Sequence, residues 1–149
     1  MFKHILVPTD GSPLSTDTVR RAVTFAKEAG AKITYLYAKP SYPIAFYGEG
    51  VLIDPTTPQQ FDEMAEQQAQ QVLADAAATA HAEGVACDCV SAINDWPYEA
   101  IIATAEDVDA DLIFMASHGR RGIGALLLGS ETQKVLTHSK VPVLVYRVE

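Results

Sequence analysis

The sequence predicts a three-layer α/β fold: a doubly wound, five-stranded parallel sheet of order 3-2-1-4-5, with helices on both faces. Two observations predict it. Short apolar runs alternate with helical periodicity, giving the order β-α-β-α-β-α-β-α-β. The first, fourth and fifth runs are apolar throughout, as strands are when both faces of a parallel sheet are covered. Right-handed crossovers then give the doubly wound sandwich. The length, 149 residues, suits a single domain spanning 1–149, and no internal repeat is visible.

Each element has its own signal. Ile5-Leu6-Val7 is the first strand, followed by the turn sequence PTDGSP. Val19, Ala22, Val23 and Ala26 recur at helical spacing until Gly30 stops them. The β-rich AKITYLYA at 31–38 is the second strand. An irregular connection follows at 39–58, marked by Pro40, Pro43, Pro55 and Pro58. Phe61, Met64, Ala65, Val72, Leu73, Ala76 and Ala80 predict a long helix ending at Gly84. ACDCVSAI, 86–93, is the third strand, and a helix starts near Pro97 with Ile101, Ile102 and Ala105 on one face. DLIFMAS, 111–117, is the fourth strand. A helix is expected from about Ser130 to His138, and VPVLVYRV, 141–148, is the fifth strand.

Composition excludes several functions. The formal charge of −8 argues against general nucleic-acid binding, which needs a basic surface. No apolar stretch reaches the length that crosses a bilayer, and the N-terminal apolar run is too short for a signal peptide, so a cytoplasmic protein is expected. Cys87 and Cys89 lie too far apart as next-but-one strand neighbours for easy bridging, and read as reduced structural thiols.

The chemistry concentrates in ASHGRRGIGALLLGSETQ, 116–133, after the fourth strand. Glycines permit close approach of a ligand to the backbone, and the free N–H groups of the next helix, with its dipole, attract anions. Arg120 and Arg121 add charge for a di- or triphosphate, or are simply solvated. Ser130 with Gln133 also fits a capping box that needs no ligand. His118 reads as a general acid or base, or as a loop histidine contacting backbone or water. In the expected strand order the loop lies beside Asp10, whose carboxylate either holds a turn or accepts ribose hydroxyls. Neither a P-loop nor a dinucleotide fingerprint is present, and no metal-ligand cluster is visible.

ILVPTDGS, MASHGRRGIGALLLGSETQKVL and PVLVYR together resemble the universal stress protein family, over nearly the whole chain. The family's nucleotide-binding motif is Gly-x-x-Gly, nine residues, then Gly-Ser/Thr. Gly119, residues 120–128 and Gly129-Ser130 match it, while Ala116 replaces the first glycine. The resemblance implies an adenine-nucleotide alpha-hydrolase-like (Rossmann-like) fold and a stress-response or signalling protein that binds ATP, ADP or AMP with Mg²⁺ or Mn²⁺. Asp10 would bind the ribose, with Pro8 and Thr9 shaping the pocket. Ala38 would make room for adenine, and Met115 would lie near ribose or base. Gly119, Arg120, Gly129, Ser130, Glu131 and Thr132 would hold phosphates, Glu131 through its backbone alone. Ala116 fits if its φ is negative, as expected at a strand end. Hydrolysis would be slow at most. The alternatives are an ATPase or phosphotransferase using His118 or Asp10, and an interaction module that keeps only the fold. The apolar fifth strand, 141–148, would be an exposed edge, relieved by pairing in a homodimer. The aromatic segment 42–58 is expected to contact the adenine, a further protein partner or the loop itself.

Overall fold

The computed structural model describes residues 1–41, 57–118 and 128–147. The elements are β1 (His4–Pro8), α1 (Pro13–Ala29), β2 (Lys32–Lys39), α2 (Pro58–Ala82), β3 (Cys87–Ile93), α3 (Pro97–Asp107), β4 (Leu112–Ala116), α4 (Ser130–His138) and β5 (Val143–Tyr146). Their order matches the sequence pattern. The sheet runs β3-β2-β1-β4-β5, and every neighbouring pair is parallel. The reading of 42–56 as an irregular connection falls outside the described residues.

Two cores flank the sheet. On one face Ile5, Val7, Ile33 and Tyr35 pack under Val19 and Val23 of α1 and Leu73 and Ala76 of α2. On the other, Leu6, Leu36, Ile113 and Met115 pack under Ala100 and Ile101 of α3 and Val135 of α4. Alternate residues of β1 thus enter opposite cores, which is why its apolar run is unbroken.

Local chemistry sets the helix ends. Ser12 caps α1, its hydroxyl accepting from the Ser15 N–H at 3.2 Å, and Gly30 ends that helix at φ 70°. Thr57 and Gln60 form a reciprocal capping box at the start of α2. Ahead of residues 42–56, the Asp95 carboxylate accepts from the Ser41 N–H (2.9 Å) and hydroxyl (2.7 Å). Those two bonds hold the Asp95 carboxyl below its ordinary pKa. At the opposite end of the sheet, Asp111 accepts from the N–H groups of Lys3 and His4, tying the start of β4 to that of β1.

Candidate functional site

In a doubly wound sheet the winding direction reverses between β1 and β4, and ligands bind beyond their C-terminal ends. The register brings those ends together. Leu6 pairs with Ile113, so Pro8 and Met115 each follow two residues later on adjacent strands.

The turn after β1 is tightly organised. Thr9 is buried, its N–H donates to Leu36 O at 2.9 Å, and its hydroxyl lies 2.7 Å from that of Ser15. Asp10 donates its N–H to Ser15 Oγ at 3.1 Å, and its Oδ1 accepts from the Ser12 N–H at 2.9 Å. Gly11 has φ 80°, a left-handed turn that suits glycine. The Asp10 carboxylate therefore stabilises the turn before α1, the bland alternative from sequence, and does so at the strand end where a ribose role would place it.

Beyond β4, Ala116 occupies the last strand position, and among the described residues Asp109 is the non-glycine with positive φ. Ala116 therefore keeps the backbone conformation expected at a strand end. Met115 is buried in the core under α3 and α4, and Ala38 packs partly buried against the same core. His118 contacts Ser117, Nδ1 to Oγ at 3.2 Å. Gly119, Arg120 and Arg121 lie outside the described residues.

The first turn of α4 departs from the sequence reading. Ser130 and Gln133 do not form a capping box. Gly129 is the N-cap, with extended φ −63° and ψ 153°, and Ser130 is the first helical residue. Gln133 instead donates its N–H to Gly129 O and its side-chain amide to Leu128 O. Gly129 itself donates to Ser117 O at 2.8 Å. A Cβ on Gly129 would lie 3.0 Å from His118 Cα and Cβ, so any side chain there requires His118 to give by a few tenths of an ångström, and packing of chain against chain already favours glycine. Thr132 is buried, and its hydroxyl donates to Ala116 O at 3.1 Å. The helical geometry leaves the N–H groups of Ser130, Glu131 and Thr132 without intrahelical acceptors, an anion-attracting turn with the positive end of the dipole behind it.

One arrangement escaped the sequence reading. The Glu131 carboxylate turns towards α3, where Oε1 accepts from the Tyr98 N–H at 2.9 Å. This supplies the acceptor that α3 lacks, since its N-cap Trp96 makes no side-chain cap. Lys134 Nζ lies 3.4 Å from Glu131 Oε2, and sits 5.8 Å and 5.4 Å from the ring centroids of Trp96 and Tyr98. The only advance signal was a glutamate in the first turn of α4; nothing in the sequence pairs it with α3.

Residues 1–147 match the model of the universal stress protein family. A universal stress protein of Thermus aquaticus is 35% identical over 154 residues, covering 99% of this chain and 100% of that relative. The universal stress protein YxiE of Bacillus subtilis is 30% identical over 152 residues, again covering 99% and 100%. Among solved structures, hypothetical protein MJ0577 of Methanocaldococcus jannaschii superposes with a TM-score of 0.82 at 25% identity, covering 100% of this chain and 98% of that one. A universal stress protein solved in complex with cAMP gives a TM-score of 0.72 at 26% identity, covering 99% of both chains. These matches extend over nearly the whole chain, and the chain belongs to the universal stress protein family.

Proposed function

We propose that this chain, as one domain over 1–149, binds an adenine nucleotide, ATP foremost, at the C-terminal ends of β1 and β4. The observation that carries the reading is the pairing of those strands, which sets the Asp10 turn beside the strand that leads to α4. Asp10 takes the ribose hydroxyls, with Pro8, Thr9, Ala38, Met115 and Ala116 shaping the pocket. The phosphates lie on the N–H groups of Ser130, Glu131 and Thr132 beside Gly129, with Gly119 and Arg120 as further contacts. The relative solved with cAMP supports an adenine ligand, and makes cAMP itself the second reading.

Among the described residues no three His, Cys, Asp or Glu side chains converge as metal ligands. A Mg²⁺ or Mn²⁺ ion accompanying the nucleotide would be held mainly by phosphate oxygens and water. Nucleotide occupancy rather than turnover carries the signal to a protein partner, with hydrolysis slow at most. The described helices include none long and apolar enough to cross a membrane, which is compatible with a cytoplasmic setting. A homodimer through the β5 edge completes the proposal.

Asp10→Asn is the direct test, because it keeps an acceptor for the Ser12 N–H while removing the charge. Calorimetric titration with ATP, AMP and cAMP should show wild-type binding and a loss of about tenfold in the variant, with an unchanged melting temperature. Equal affinity in the two proteins would remove Asp10 from the ribose site. Tighter binding of cAMP than of ATP would select the second reading.

A further inference from the structure

The junction of α3 and α4 contains a cation with two competing claims on it. Lys134 is the fifth residue of α4, and helical side chains lean towards their own N-terminus, so its stem points back over the first turn. Its ammonium is held there by Glu131 Oε2 at 3.4 Å and by the faces of Trp96 and Tyr98. Each hold is weak. The ion pair joins side chains that are 44% and 32% exposed, where water screens the attraction. Glu131 also spends one oxygen on the Tyr98 N–H. Trp96 is itself 57% exposed, so its contact with the ammonium is only partly desolvated.

A polyphosphate at the start of α4 would change the balance. It brings several negative charges to the same helical turn, against the single charge of Glu131, and it repels that carboxylate. We propose that Lys134 is a switch cation: with the turn empty it rests on Glu131 and the Trp96–Tyr98 pair, and with ATP bound it moves to the phosphates and uncovers the two rings. This rests on the nucleotide reading above and adds its output, an aromatic surface at the mouth of β3 whose exposure follows occupancy of the site.

Trp96 is the one tryptophan in the chain, so its emission reports the event directly. The full chain is titrated with ATP and Mg²⁺, following tryptophan fluorescence and heat in parallel, and the series is repeated with Lys134→Met and Glu131→Gln. The expected result is an emission change with the same midpoint as the heat. In Lys134→Met that change disappears and affinity falls about fivefold. Glu131→Gln keeps an acceptor for Tyr98 and removes the rival charge, so it should bind ATP more tightly. Binding without an emission change, an emission change that survives in Lys134→Met, or weaker binding in Glu131→Gln would overturn the switch while leaving the nucleotide reading standing. Absence of wild-type heat would overturn that reading, and the switch with it.

Discussion

Tyr35 lies wholly inside the sheet's α1–α2 core, and among the described residues its hydroxyl has no hydrogen-bond partner. Burial, then the neighbouring Cys87 and Cys89, push its phenol well above the ordinary range, so it stays neutral. An unsatisfied buried hydroxyl costs about 1–3 kcal/mol, whereas phenylalanine fills the same space without it. Tyr35→Phe should therefore raise stability by about 1 kcal/mol, read as a higher denaturant midpoint at unchanged slope; a lower midpoint would mean the hydroxyl is paired in solution. Such a residue shows how legibility fails at this scale. The β-rich run at 31–38 marks a strand, but whether the Tyr35 oxygen finds a partner depends on chain segments far away. Glu131 is a similar case. Its repulsion from phosphate was foreseeable from charge, while its bond to Tyr98 was not, because the two residues lie 33 positions apart and only the tertiary fold brings α3 and α4 together. Asp10 was legible in place and ambiguous in role, since one carboxylate serves equally well to hold a turn or a ribose.

Elements were more legible than residues. All nine elements among the described residues were visible in the sequence, because apolar runs and helical spacing are local signals, and their ends moved by only a few positions. The start of α4 shows the limit. Ser130 and Gln133 have capping-box spacing, yet the extended cap conformation falls one residue earlier, on Gly129 packed against His118. β5 shows what an element implies for assembly. Its neighbour β4 uses the carbonyls of Pro142 and Tyr146, through the N–H groups of Ile113 and Ser117. In a parallel ladder alternate residues face alternate sides, so the N–H and C=O groups of Val143 and Val145 face the open edge. Val145→Pro removes one outward donor and leaves the inward ladder intact. If β5 pairs with its copy, sedimentation should give a dimer for the wild type and a monomer for the variant. A variant that stays dimeric would move the interface elsewhere.

Over the whole molecule, acid should destabilise in two stages. His4 is buried between β1 and β2, its Nε2 2.7 Å from Thr34 Oγ1. Burial, and next the charge of Lys32, hold its pKa below the ordinary 6.5, outweighing the hydrogen bond to the Val108 backbone and the charges of Asp111 and Asp88. The unfolded chain thus binds this proton more readily, so unfolding free energy rises with pH through that window. His4's contribution is complete above about 6.5 and is lost as pH falls through its lower native value. The Asp111 carboxyl is pushed up by burial, but the N–H bonds from His4 and Lys3 prevail and hold it below the ordinary 3.8. Its contribution is likewise present above that value and lost below it. Melting temperatures should fall first below about pH 6.5 and again below about pH 4; His4→Gln should flatten the first step alone, and an unaltered first step would assign it to other groups. The two anchors around residues 42–56 carry a different consequence. With Ser41 fastened to Asp95 and Thr57 locked in its capping box, the fold specifies where that stretch leaves and returns, independently of what it contains. Doubling the length of a flexible chain between two fixed ends costs only about 0.6 kcal/mol. Changes of length between the two anchors should therefore cost the fold little, and the sheet and both cores are expected to stay in place through them.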